Sequence, residues 1–176
     1  MTAGMLKKFV FICFFLHLWA SLASGNPSSS EFRAKVLGIT DCDTLIIRSL
    51  RAQNSSKIHL KAIACPRKDQ IPYVAQAKQF TQALVQGQVV TVRVYDENGQ
   101  WQIDVIFDDN RTLTHELVKA GLAWWNVNDS VDEHLATLEL MAKSMKRGFW
   151  QETNPTPPWA FKDQQAHYRE KLAHVN

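Results

Sequence analysis

The sequence lacks three features that would each define a class of protein. It has no apolar run of the ~20 residues that a membrane-spanning helix needs. It has no strong net charge, since 20 basic side chains nearly balance 17 acidic ones. It has no internal repeat, so a solenoid or propeller is excluded. What remains is one globular domain, because 176 residues with 45% hydrophobic content suffice for one core.

The first residues have the layout of an export signal. Lys7 and Lys8 precede an apolar run from Phe9 to Leu22, and small residues follow it. This layout predicts a signal peptide over 1–25, cleaved near Asn26; a retained anchor is disfavoured because the run is short. Cleavage would lower the formal net charge by two, from +3 to +1. Any binding of nucleic acid would therefore need a local basic patch.

Cysteine is scarce. Of three cysteines, Cys13 lies in the predicted signal, which leaves Cys42 and Cys65 in the mature chain. In an exported protein two cysteines favour a disulfide, although two separately buried thiols are the alternative.

Hydrophobic periodicity predicts a mainly β domain. Alternating or β-branched segments predict a meander of three strands and then a hairpin around Asn98-Gly99, whereas a 3.6-residue period predicts helices. Ser130 and Glu133 have the spacing of a capping box for the last helix. The predicted strands are Phe32–Ile39, Thr44–Leu50, Lys57–Ile63, Gln88–Asp96 and Trp101–Asp109, and the helices are Pro72–Val85, about Thr114–Ala120, and one that follows Ser130 and ends before Gly148.

This order predicts an α+β fold. We expect a five-stranded Greek-key barrel of the oligonucleotide-binding type with about three helices. A Ser-rich linker, 26–31, precedes the domain, 32–161, and a tail, 162–176, follows it.

Several motifs carry a resemblance to a known family. The segments "DCDT" from Asp41, "HLKAIACPR" from His59, "ELVKAGLAWW" from Glu116, and "RGFWQETNPTPPWAF" from Arg147 stand in the expected order. Together they resemble the staphylococcal nuclease (thermonuclease) family over about residues 32–161. The resemblance implies a barrel that holds calcium and cleaves phosphodiester bonds in DNA and RNA.

The residues that the family uses to hold calcium are mostly replaced. The resemblance gives Asp43 the role of a metal ligand and places Cys42 where glycine is usual. A second metal-binding aspartate would fall at Ala64, and Cys65 would lend its backbone carbonyl. Calcium takes roughly six to eight oxygen ligands, so Asp43 with a weak contribution from Asp41 makes a poor site. Asp69 is a further candidate oxygen donor.

The groups that would act on phosphate are replaced as well. By the resemblance, His59 stands where an arginine grips the phosphate, and Arg67 stands where a glutamate activates water. The second phosphate-binding arginine would fall at Gln100 or Trp101. Asp43, His59 and Arg67 are therefore vestigial candidates rather than assigned catalytic residues.

The resemblance also pairs the two cysteines. In the implied fold Cys42 and Cys65 both border the metal pocket, so we expect a Cys42–Cys65 disulfide in place of a metal-braced loop.

Two groups of side chains are candidates for binding. Lys57, Lys61, Arg67 and Lys68 would form a basic surface for a phosphate-bearing anion or nucleic acid, or only a solvated face. Trp124 and Trp125 would stack on a base or partner, although at least one of them is expected in the core.

The leading hypothesis is an exported, catalytically degenerate domain, periplasmic or secreted, that serves as a binding or scaffolding module in the cell envelope. It would need no cofactor and would bind a phosphate-bearing anion or an envelope protein, without a membrane span after cleavage. The alternative is an active endonuclease that depends on calcium, or that uses His59 and Asp43 with a different metal.

Overall fold

A computed structural model describes residues 29–160 of the chain. The predicted signal peptide, the start of the predicted linker, Phe161 and the predicted tail lie outside the described residues. Within 29–160, no helix is long and apolar enough to cross a membrane.

The observed elements confirm the predicted α+β class. The elements assigned within residues 29–160 are eight strands, three α-helices and one 3₁₀ helix. The strands are β1 Ser29–Asp41, β2 Thr44–Ser49, β3 Ser55–His59, β4 Ile63–Ala64, β5 Val89–Glu97, β6 Gln100–Phe107, β7 Arg111–Thr112 and β8 Trp124–Trp125. The helices are α1 Tyr73–Val85, α2 Leu113–Lys119, α3 Glu133–Ser144 and the 3₁₀ helix Gly148–Gln151.

One antiparallel sheet dominates the fold. Its order is β3-β2-β1-β5-β6-β7, and β4 with β8 forms a separate two-stranded sheet. The first half of β1 pairs with β5 and its second half with β2, and the register shifts beyond Val36 and again beyond Ile39. Such irregularities bend a strand, which lets one strand serve two sides of a curved sheet.

The core follows the inward face of this sheet. Alternate residues of β2 and of the second half of β1 are buried, as the period of two requires, and α1, α2 and α3 contribute residues to the same core. The largest fully buried aliphatic side chains are Leu45, Ile47, Leu60, Ile63, Leu113, Leu117 and Leu135. Each contributes about 1.5–3 kcal/mol by leaving water, so the core holds the site-bearing loops in place.

Two strand boundaries differ by several residues from the sequence prediction. β1 begins at Ser29, inside the predicted linker, because its first residues pair with Tyr95 and its neighbours on β5. The third strand ends at His59 rather than Ile63, and Ile63 pairs with Trp125 in the other sheet instead. Two-residue strands such as β8 lack the length that makes a periodic pattern detectable.

The predicted capping box of α3 was wrong. The N-cap is Asp132, whose Oδ1 accepts hydrogen bonds from the backbone N of His134 at 2.8 Å and of Leu135 at 3.4 Å. Ser130 lies two residues earlier and accepts from the backbone N of Asp132. Aspartate and serine are about equally favoured as N-cap residues, so residue type alone does not choose between Asp132 and Ser130.

Candidate functional site

The turn between β1 and β2 carries the first two predicted acidic residues. Asp41 pairs with Thr44 in the β1–β2 register, and the Asp41 Oδ1 accepts a hydrogen bond from the Cys42 backbone N at 2.8 Å. The Thr81 Oγ1 of α1 donates to the carbonyl of Cys42 at 2.9 Å. This turn is therefore fixed from two sides, which preorganises the side chains that it presents.

Asp43 and His59 meet in the structure. The His59 Nδ1 lies 3.4 Å from the Asp43 Oδ1, and the Thr44 Oγ1 lies 3.1 Å from the same nitrogen. The Thr44 hydroxyl also donates to the Asp43 Oδ1 at 2.7 Å. Thr44 and His59 are directly opposite each other on β2 and β3, so strand register brings the three side chains together.

Electrostatics of this cluster favour a protonated imidazole. The hydrogen bond with Asp43 raises the pKa of His59 above its usual 6.5, with help from the negative charges of Asp43 and Asp41. Partial burial and the nearby Lys61 oppose this increase. Asp43 is only 8% exposed, which places its carboxylate inside the cluster rather than in solvent.

The predicted disulfide is present. Cys42 of the β1–β2 turn and Cys65, directly after β4, are 23 residues apart and their Cα atoms lie 6.0 Å apart. Cys42 is fully buried, so the bond runs through the interior beside Asp43. It ties the turn that carries the acidic residues to the segment that carries Arg67.

Arg67 lies in the segment that leads into α1. Its Nε is 3.3 Å from the Asp69 Oδ1, and its backbone N donates to the Gln70 Oε1 at 2.8 Å. The guanidinium is thus engaged with a carboxylate of its own loop. Arginine cannot accept a proton near neutrality, so this position supplies charge and no general base.

The fold places two lysines of the predicted basic surface, Lys57 and Lys61, near His59. Lys57, Lys61 and Lys68 are exposed, and Lys61 is close enough to His59 to affect its pKa. Lys57 is two residues from His59 on the edge strand β3, so the two side chains share one face.

The two adjacent tryptophans have different environments. Trp124 is 3% exposed and stacks on Phe149, with ring centroids 3.7 Å apart, so it is the core residue expected of the pair. Trp125 is half-buried and its backbone N donates to the Glu139 Oε1 at 3.3 Å.

The β5–β6 hairpin presents no arginine at the expected place. Trp101 is opposite Asp96 and its side chain is 54% exposed, whereas Gln100 is opposite Glu97.

The donors present do not fit a calcium site. The Asp43 Oδ1 already accepts a hydrogen bond from Thr44, and Ala64 offers no side-chain oxygen. Among residues 29–160, no group of three or more His, Cys, Asp or Glu side chains is placed to hold a metal ion. Calcium needs several oxygens around one point, and this cluster does not supply them.

Sequence reasoning missed two supporting contacts of the cluster. The Leu60 backbone N donates to the Asp43 carbonyl at 2.9 Å, and Thr81 braces Cys42. Thr81 is on the buried face of α1 with Ala77 and Val85, and a hydroxyl at such a position is a detectable sign of a buried hydrogen bond.

Comparison with known proteins now identifies the family. The model of the "Staphylococcal nuclease homologue" family matches residues 57–152, more than half of the chain. The chain belongs to the staphylococcal nuclease homologue family. The matched range contains His59, Ala64, Cys65 and Arg67, and the β1–β2 turn with Asp43 lies before it.

Relatives occur in bacteria and plants. An "uncharacterized endonuclease" of Escherichia coli O157:H7 is 27% identical over 159 residues, which are 89% of this chain and 98% of that protein. An "uncharacterized endonuclease" of Haemophilus influenzae is 25% identical over 138 residues, which are 78% of this chain and 77% of that protein. A "staphylococcal-like nuclease" of Arabidopsis thaliana is 28% identical over 107 residues, 60% of this chain and 33% of that one.

Proposed function

We propose that this staphylococcal nuclease homologue does not cleave nucleic acid and acts as an exported binding module in the cell envelope. The observation that supports this most directly is the Cys42–Cys65 disulfide beside Asp43. A covalent bond here takes over the bracing that a bound metal would give to these two segments. The neighbouring carboxylate is occupied by Thr44 and His59 within the protein.

The missing chemistry supports the same conclusion. A positioned general base contributes about 10²- to 10⁴-fold to a hydrolytic rate, and Arg67 cannot act as one. An electrostatic clamp on developing charge contributes about 10²- to 10³-fold, and the β5–β6 hairpin offers Trp101 in place of a guanidinium. These losses do not multiply independently, but each removes transition-state stabilisation.

The ligand that suits the remaining charges is a phosphate-bearing anion such as an oligonucleotide. Lys57 and Lys61 lie beside His59, whose raised pKa favours the cationic form. Phosphate binds such cations without a metal, and the affinity falls as salt increases. We expect Lys57→Ala to weaken oligonucleotide binding more than Lys119→Ala, which removes an exposed lysine from α2.

The decisive experiment is a nuclease assay on the oxidised mature chain from Asn26. Single-stranded DNA and RNA are incubated with calcium, other divalent ions or chelator, beside an active member of the family. We expect no cleavage beyond that of a mock preparation. Cleavage that disappears with chelator would overturn the proposal.

Active metal-dependent cleavage is the second candidate, and the Asp43–His59 pair favours it. A carboxylate 3.4 Å from an imidazole is a common acid–base arrangement. If the pair is catalytic, Asp43→Ala abolishes cleavage and Asp108→Ala, an exposed aspartate beside Arg111, does not. Equal rates in the two variants would instead identify a contaminant.

The disulfide also supports an oxidising location, because such bonds persist outside the cytosol. We propose the periplasm or the medium, as the apolar run over Phe9–Leu22 predicts. The intact mass of the protein isolated from its native compartment, measured before and after reduction and alkylation, tests whether the two cysteines are bonded there. A chain with both thiols free would contradict the proposal.

A further inference from the structure

The outward face of β1, β2 and β3 carries four exposed cations. Lys35 and Arg48 are direct partners in the β1–β2 register, and both alternate with buried neighbours, so both are on the outward side of the sheet. Arg33 is two residues before Lys35 on β1, and Lys57 of β3 pairs with Ile46, two residues before Arg48. Strand register therefore brings four cations to one surface, which we call the basic sheet face: Arg33, Lys35, Arg48 and Lys57.

These cations have no carboxylate partner. Within residues 29–160, no ion pair includes any of the four. The next acidic side chain along β1 is Glu31, and its Oε1 already accepts from the Arg93 Nε at 2.6 Å. Like charges directly opposite each other on neighbouring strands destabilise a sheet, and Lys35 opposite Arg48 is such a pair. An anion that lies against both side chains would remove this cost.

Three aliphatic side chains are exposed among the cations. Each lies beside one of them in the sheet, and the pairs are Val89 with Lys35, Ile46 with Lys57, and Leu50 with Arg33. The aliphatic side chains are 42%, 38% and 41% exposed, respectively. Exposed hydrocarbon gains free energy by leaving water, which contact with phosphate groups alone does not provide. The basic sheet face therefore fits a ligand that joins anionic groups to an apolar part.

We propose that the basic sheet face binds the surface of a membrane that contains anionic phospholipid. Lysine and arginine side chains near such a surface are attracted to its negative charge, and aliphatic side chains enter the boundary between headgroups and acyl chains. A single-stranded nucleic acid also supplies phosphates, but its bases stack on aromatic side chains, and none of the seven residues of this face is aromatic. The inference does not depend on whether the Asp43–His59 cluster cleaves nucleic acid.

Co-sedimentation of the oxidised mature chain with lipid vesicles measures this binding. The vesicles contain phosphatidylcholine alone, or phosphatidylcholine and phosphatidylglycerol in equal parts, and we expect binding to the second kind only. Arg48→Gln should weaken this binding about 5-fold, the effect of removing one cation from an anionic surface. Lys146→Gln is the matched control, because it removes the same charge from an exposed position just after α3, and we expect no change.

A second variant separates a membrane from a nucleic acid. Ile46→Ser keeps all four cations, and we expect it to weaken vesicle binding roughly 2- to 10-fold because it removes exposed hydrocarbon. Fluorescence anisotropy of a labelled oligodeoxythymidine measures nucleic-acid binding in the same variants. Circular dichroism verifies that each variant is folded, and Lys35→Gln or Leu50→Ser replaces a variant that is not.

Three results would overturn the inference. They are no binding of the wild-type chain to the anionic vesicles, an equal loss in Arg48→Gln and Lys146→Gln, and vesicle binding that Ile46→Ser leaves unchanged. The last result, with a loss of oligodeoxythymidine binding in Arg48→Gln, would identify a nucleic-acid surface instead.

Discussion

The pKa of His59 depends on the side chains around it. It is on an edge strand with a side chain that is 55% exposed, yet its pKa is raised because Asp43 accepts its N–H. The folded chain therefore holds this proton more tightly than the unfolded chain does. Folding and protonation of His59 are consequently linked.

This linkage predicts a pH dependence of stability. A raised folded pKa contributes stability that is complete below 6.5 and is lost as pH rises through the folded value. As pH rises above 6.5, the free energy of unfolding should therefore fall more steeply for wild type than for His59→Gln. The difference in slope should be small because solvent weakens a half-exposed pair.

Urea unfolding at several pH values measures this difference. Asp43→Asn should weaken the pH dependence of the free energy of unfolding in the same way, because it removes the carboxylate that His59 contacts. Parallel curves for wild type and both variants would contradict the assigned contact.

At the scale of single residues, the sequence predicted which residues belong to the cluster but not which of them are in contact. The motif around Asp43 and His59 identified both residues, but the geometry of the cluster depends on the β2–β3 register. Asp132 was missed as a helix cap because Ser130 and Glu133 matched a known spacing. A local pattern cannot choose between two capping residues when tertiary packing fixes where the helix begins.

Among the elements, the end of α2 and the start of the 3₁₀ helix depend on two glycines. Gly121 and Gly148 both have positive φ, and a Cβ on either would collide with backbone atoms beside the other. The Phe149 backbone N donates to the Gly121 carbonyl at 3.0 Å across this contact. The sequence predicted helices that end just before these two positions, but it did not predict the contact between the glycines, because they are 27 positions apart in the sequence.

We expect Gly121→Ala to destabilise the fold more than Gly87→Ala. Both glycines have positive φ, at +66° and +75°, so both variants lose about 1–2 kcal/mol from backbone strain. Only Gly121 also meets backbone atoms, which adds about 1–3 kcal/mol of overpacking, whereas Gly87 has open space around it. Urea unfolding of the two variants gives the difference, and equal losses would show that the close contact is not essential.

In the molecule as a whole, one covalent link joins the β1–β2 turn to the segment before α1. The sequence and the family resemblance together predicted this pairing, the α+β class and the five longer strands. They did not predict the short strands β4, β7 and β8. Those strands have no periodic pattern of their own and form because the core brings their backbones together.

Removing the disulfide should lower stability by about 2–4 kcal/mol, because the unfolded chain loses a loop constraint of 23 residues. The double variant Cys42→Ala/Cys65→Ala tests this by urea unfolding without reductant. Wild type in reductant should show a similar loss, and reductant should not affect the variant. A variant as stable as the oxidised wild type would show that the disulfide does not contribute to the free energy of unfolding.

The same bond makes a closed ring of the chain from Cys42 to Cys65, and the ring includes β2, β3 and the exposed turn at 50–54. A protease that cuts this turn opens the ring without separating the products. The two fragments remain covalently joined, and the core residues on each side of the cut stay in one molecule. We therefore expect the fold to tolerate a chain break in the turn between β2 and the edge strand β3.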